Sequence, residues 1–160
     1  MGRMENGVRT KPANCFLNGR FNYLRAMLTN IEHIGIAVKN MEAADALYTR
    51  LLGIAPYKHE AVESENVITS FFKINQTKIE LLQATAETSA IAKFIEKKGE
   101  GVHHLAFETD DLDAELKRLQ AEGFELLKGF PKKGADNKMV AFLHPRDTAG
   151  VLVELCMEIK

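Results

Sequence analysis

Two histidines and two glutamates stand at matching places in the two halves of this 160-residue chain. His33 lies in Ile31-Glu32-His33-Ile34-Gly35-Ile36-Ala37-Val38, and His104 in Val102-His103-His104-Leu105-Ala106-Phe107-Glu108-Thr109. Glu80 follows Lys78-Ile79 and precedes Leu81-Leu82, and Glu154 sits within Val151-Leu152-Val153-Glu154-Leu155. All four read as polar groups on the inner faces of otherwise apolar strands. One such histidine would be an ordinary packed residue, but four groups at repeated positions ask for a common partner. A buried carboxylate without a partner costs several kcal/mol, so two of them call for a cation. Two imidazoles and two carboxylates suit a borderline divalent metal: Zn²⁺, Co²⁺, Ni²⁺ or Mn²⁺. Coordination positions left to water or substrate would make the site catalytic. His33, Glu80, His104 and Glu154 are therefore the candidate metal ligands. Strict alternation predicts that His103 points to the opposite face of its strand and supports the site or the core. His59 has no supporting context and reads as a surface residue, while His144 precedes a proline in a turn and could support the loop or touch substrate.

Each histidine strand is followed by a polar turn and a helical run. The predicted order in the first half is a strand at 31–38, a helix at 41–52 ended by Gly53, strands at 57–61 and 67–74, and a strand at 78–83. The second half repeats it with a strand at 102–109, a helix at 112–122 ended by Gly123, and strands at 124–128, 139–143 and 151–157. A linker helix capped by Ser89 runs to residue 97 or 98. The fold class is thus α+β, two βαβββ modules at about 30–85 and 101–158. Four mixed strands cannot bury both faces alone, so the modules are expected to pair their sheets around a shared, metal-containing cleft. The histidines are 71 residues apart and the glutamates 74, which predicts a small insertion in the second half, placed in the loop 134–137.

Apolar residues make up 46% of the chain, charged residues 27%, and the net charge is −1. This composition suits a globular protein and gives no electrostatic footprint for nucleic acid or an anionic membrane. No apolar run approaches the roughly 20 residues needed to span a bilayer. The two cysteines, Cys15 and Cys156, form no framework and are expected to be reduced, which fits a cytoplasmic protein. Residues 1–26 lack helical or strand periodicity and any secretory apolar stretch, so they are expected to be an N-terminal extension without regular structure, with the functional domain at 27–160.

From about Asn30 to Glu158 the chain resembles the vicinal oxygen chelate superfamily and, within it, the methylmalonyl-CoA epimerase family. The resemblance is carried by the two histidine strands, by Thr77-Lys78-Ile79-Glu80-Leu81-Leu82, by Phe142-Leu143-His144-Pro145-Arg146-Asp147 and by Gly150-Val151-Leu152-Val153-Glu154-Leu155. It implies paired βαβββ modules, a divalent metal on His33, His104 and Glu154 with Glu80 in the fourth position, and a homodimer. It also implies interconversion of (2R)- and (2S)-methylmalonyl-CoA by proton removal at C2, with the enolate stabilised by a Lewis-acidic metal. In some epimerases a carboxylate on the third strand is one of the bases, but Thr69 stands at that position here. Glu63 and Glu65, just upstream, fit a solvated loop. The catalytic bases are then expected to be the ligand carboxylates Glu154 and Glu80. Lys138, His144 and Arg146 are expected to meet the acyl-CoA substrate, with Lys132 and Lys133 near its phosphates. The rival activity is a glyoxalase I-like lyase acting on a glutathione hemithioacetal. A non-catalytic binding protein of the same fold is disfavoured by the complete His/Glu set, and an extradiol dioxygenase by the fourth protein ligand.

Overall fold

The computed structural model describes residues 28–160. The expected extension at 1–26, with Cys15, lies outside the described residues. In chain order the elements are β1 (Asn30–Ala37), α1 (Met41–Leu52), β2 (Lys58–Val62), β3 (Val67–Ile74), β4 (Thr77–Ala84), α2 (Ala90–Lys98), β5 (Gly101–Glu108), α3 (Leu112–Ala121), β6 (Lys132–Lys133), β7 (Lys138–Leu143) and β8 (Leu152–Glu158). Short 3₁₀ turns occupy Glu63–Glu65 and Pro145–Asp147.

The helices start where side chains can satisfy their free N–H groups. Asn40 accepts from the Ala43 amide at 2.8 Å, Ser89 from Ile91 at 3.2 Å and Asp111 from Ala114 at 3.0 Å. Gly53 ends α1 in the left-handed region at φ 70°, where a side chain would be strained.

All eight strands form one curled sheet in the order β2-β3-β4-β1-β5-β8-β7-β6. Within each module the ligand strands pair in parallel, β1 with β4 and β5 with β8. The modules join where β1 runs antiparallel to β5. The sheets therefore do not face each other as separate layers; they continue into one another across this seam. Helix α1 packs on Val38, Phe72 and Leu81. Helix α3 contributes Leu112, Leu116 and Leu119 to a second cluster with Leu143 and Leu155. Alternation along β4 and β8 then turns Glu80 and Glu154 to the opposite face, the inside of the curl.

Three sequence expectations need correction. Residues 124–128 form no strand; Leu126 makes only an isolated bridge to Leu143, through the Leu127 amide donating to the Phe142 carbonyl and the His144 amide donating to the Glu125 carbonyl. The small insertion does not lie at 134–137. Phe71 pairs with Glu80 and Phe142 with Glu154, and the two phenylalanines keep the offset of 71. The three extra residues thus fall between Phe142 and Glu154, in the connection that holds the Pro145–Asp147 turn. Finally, the alternation of β1 and β5 is broken at two points, with consequences for His103.

Candidate metal centre

The register of β1 against β5 shifts between Ile31 and His33 and again between Gly35 and Ile36. The first shift makes Glu32 an extra residue in β1. The second makes His103 an extra residue in β5. These are β-bulges, which re-aim a side chain that alternation would have sent elsewhere. The bulged residues occupy equivalent positions in the repeat, so each histidine gains the residue before it as a neighbour. Glu32 Oε2 lies 2.6 Å from His33 Nδ1, and His103 Nδ1 lies 2.9 Å from His104 Nδ1. His103 does not turn away to the opposite face; the bulge brings it beside its neighbour.

With both Nδ1 atoms engaged, both Nε2 atoms turn inward and lie 2.8 Å apart. Glu80 Oε2 is 3.0 Å from His33 Nε2 and 3.7 Å from His104 Nε2. Glu154 Oε2 is 3.8 Å and 3.4 Å from the same two atoms. His33, His104 and Glu154 present ligand atoms that all lie within 4.8 Å of one another, and Glu80 joins them through His33. All four are buried. Glu32 accepts from His33 Nδ1, so Nε2 is the atom of His33 that faces the two carboxylates. Groups converging in this way call for positive charge, a proton on the imidazole or a metal in its place, and these donors suit a borderline divalent metal.

Electrostatics points the same way. Burial alone would lower the pKa of His33, but Glu80, Glu154 and Glu32 raise it well above the ordinary imidazole value. Burial pushes Glu80 up, but His33 and His104 outweigh it and hold Glu80 well below the usual carboxylate range. Glu154, farther from His33, is raised by burial and by the neighbouring carboxylates, despite both imidazoles. A cluster that draws a proton onto an imidazole is one that attracts positive charge.

Glu32 is itself anchored. Its other oxygen is 2.5 Å from Lys78 Nζ and 3.5 Å from Lys138 Nζ. Burial would raise Glu32, yet hydrogen bonds from His33 and Lys78 hold its pKa at about 2. Lys78 continues to Asp136 at 2.6 Å, on the loop between β6 and β7. Asp136 also meets Lys58 at 3.1 Å and the Tyr57 hydroxyl at 3.2 Å, strapping module two across the outer strand of module one.

The four groups open into a cavity of about 320 Å³. Val67, Leu82, Ile91, Phe130, Val140 and Phe142 supply apolar lining, while Lys78 and Lys138 line it with Glu32. Among the residues expected to contact substrate, Lys138 reaches this cavity, but its ammonium is engaged by Glu32, Glu108 and Glu158. His144 and Arg146 are not among the lining residues. His144 accepts from the Arg146 amide at 3.3 Å, and Arg146 pairs with Glu125 and Asp147. Lys132 and Lys133 line the cavity, with Lys132 paired to Glu65. Thr69 also lines it, and its hydroxyl donates to the Glu60 carbonyl at 3.1 Å. His59 is bound to Asp45 at 2.6 Å. Sequence reasoning missed the support given by Glu32, Lys78 and Asp136. The one available signal was the polar doublet, Glu32-His33 and His103-His104, at the same place in each repeat.

Residues 32–142 match the Glyoxalase/Bleomycin resistance protein/Dioxygenase superfamily, and the chain belongs to that superfamily. Among its relatives there are methylmalonyl-CoA epimerases, at 35–41% identity. The ethylmalonyl-CoA/methylmalonyl-CoA epimerase of Cereibacter sphaeroides is 41% identical over 131 residues, spanning 81% of this chain and 98% of that protein. A variant of the Streptomyces coelicolor methylmalonyl-CoA epimerase, solved with 2-nitronate-propionyl-CoA, is 37% identical with a TM-score of 0.80, over 83% of this chain and 99% of that one. A methylmalonyl-CoA epimerase solved with methylmalonyl-CoA and ammonium is 37% identical with a TM-score of 0.79, over 82% and 95%.

Proposed function

We propose that the protein is a metal-dependent epimerase that interconverts (2R)- and (2S)-methylmalonyl-CoA. The observation that carries this reading is the convergence of His33, His104, Glu80 and Glu154 on one buried point of the cavity. The similarity to epimerases solved with acyl-CoA ligands supports the substrate. His33, Glu80, His104 and Glu154 would hold the ion, with Co²⁺ the first choice. Bound there, a divalent cation supplies Lewis-acid stabilisation of negative charge on the thioester oxygen.

The protein's own residues do the rest. One ligand carboxylate, Glu154 or Glu80, takes the C2 proton as the C–H electron pair moves into the enolate. The other enters the step as the neutral acid and delivers its proton to the opposite face, so C2 inverts, the two carboxyl groups exchange protonation states and no oxidation state changes. Thr69 cannot serve as base, since a hydroxyl at that position is far too weak and already donates to a carbonyl. Glu65 is paired with Lys132, and Glu32 with His33 and Lys78, so the central carboxylates are taken as the acid–base candidates.

The assembly is read as a homodimer, supported by the exposed apolar side chains Leu47, Leu51 and Val102. A reduced, buried Cys156 supports a cytoplasmic setting. Among the described residues no helix is long and apolar enough to cross a membrane.

The deciding measurement is exchange of the C2 proton of methylmalonyl-CoA in D₂O, before and after chelation. Exchange that is lost on chelation and restored by Co²⁺ is expected. Exchange that survives complete metal removal, or activity confined to the methylglyoxal–glutathione adduct, would overturn the reading.

A further inference from the structure

The two bulged residues that back the histidines are not alike. His33 Nδ1 faces a carboxylate, Glu32, whose second oxygen is fixed by Lys78 and Lys138. His104 Nδ1 faces an imidazole, His103, which packs edge-on against Phe94 at 5.0 Å between ring centroids. A carboxylate can only accept, so it pins the His33 proton on Nδ1 and makes Nε2 the stronger donor to a metal. An imidazole can donate or accept, so His103 leaves both tautomers of His104 open and adds little basicity.

Resting on the metal reading above, we propose that Glu32 and His103 are positioning residues that make the two ligand histidines unequal, with His33 the anchoring ligand and His104 the looser one. The repeat has thus kept the same bulge geometry in both halves while placing a formal charge behind only one ring.

Co²⁺ binding to the whole metal-free protein tests this, with affinity measured by competition against a chromogenic chelator and the site read by ligand-field absorption. Glu32→Gln keeps the size but removes the charge, and should weaken Co²⁺ binding by about 10–100-fold and shift the ligand-field bands. His103→Phe keeps a ring against Phe94 and should weaken it no more than about threefold, with the bands unmoved. If Glu32→Gln fails to fold, judged by circular dichroism of the metal-free protein, Glu32→Asp carries the test. It keeps a charge for the lysines but draws the carboxylate back from His33, and the same loss is expected. Equal affinities for all these proteins, or a larger loss in His103→Phe, would overturn the inference while leaving the metal site standing. Failure of the unmodified protein to bind Co²⁺ would overturn both.

Discussion

The space that a side chain at Gly35 would fill is taken by the ring of His104. A Cβ built on Gly35 would lie 2.5 Å from His104 Nδ1 and 2.6 Å from Nε2, where real Cβ atoms do not go. Gly35 and His104 are direct partners across the seam, so the ring lies over the opposing backbone. Gly35→Ala must therefore move His104, which is also held edge-on by Phe142 at 5.6 Å. Overpacking of this kind typically costs about 1–3 kcal/mol. Thermal unfolding should show that loss, and Co²⁺ affinity should fall with it. The equivalent residue, Ala106, already carries a methyl opposite His33, so Ala106→Gly should leave Co²⁺ affinity within a few-fold.

Glu80 and Glu154 carry two roles in the proposed reaction, and isosteric removal of charge separates them from size. Glu154→Gln and Glu80→Gln should each reduce C2 proton exchange by about 10²–10⁴-fold if each serves as one of the bases. Metal content measured on the same samples distinguishes the causes. Exchange lost with metal retained assigns the base role, whereas exchange lost together with metal assigns ligation alone.

Metal binding should also release a proton. His33 is held protonated well above its ordinary value by the surrounding carboxylates, and a ligand imidazole must be neutral. Calorimetry of Co²⁺ binding at pH 7 in buffers of different ionisation enthalpy should report about one proton released per ion. The sign in the metal-free protein follows. Stability from the His33 charge is fully present below the ordinary pKa of 6.5 and is lost as pH rises through the higher folded value. Glu32 works at the other end, its contribution being present above 4.5 and lost as pH falls towards about 2.

Asp136 ties the loop between β6 and β7 to β2 and β4 through Lys58, Tyr57 and Lys78. Asp136→Ala removes these charge-assisted hydrogen bonds and should lower stability by about 1–3 kcal/mol, read by denaturant unfolding. Because the same loop lines the cavity, KM for the acyl-CoA should rise more than kcat falls. A fall in kcat with KM unchanged would count against a role in holding the cavity closed.

Much of this site could be read from residue order, because alternation and repetition are local properties. The strand around His33, the helix at 41–52 and the matched glutamates follow from side-chain periodicity alone. The bulges do not. Whether a strand gains an extra residue depends on its partner, and nothing within Glu32-His33 or His103-His104 says that β1 will run beside β5. The same reason explains the misplaced insertion. The offset of 74 between Glu80 and Glu154 counts residues without saying where they lie, and only the pairing of Phe71 and Phe142 locates them. Asp136 was invisible for a different reason. Its partners Lys58 and Lys78 come from the other half, joined by tertiary contact rather than by any pattern along the chain.

The single seam between β1 and β5 makes the site a shared possession of both modules. Each half supplies one imidazole and one carboxylate, so neither half alone could close a coordination sphere around an ion. An ion seated there would fasten four points of the chain spread from His33 to Glu154, and it would act as a cross-link as well as a cofactor. Chelation should then loosen the hold of one module on the other, and hydrogen exchange along β1 and β5 should quicken before the strands beneath α1 and α3 open.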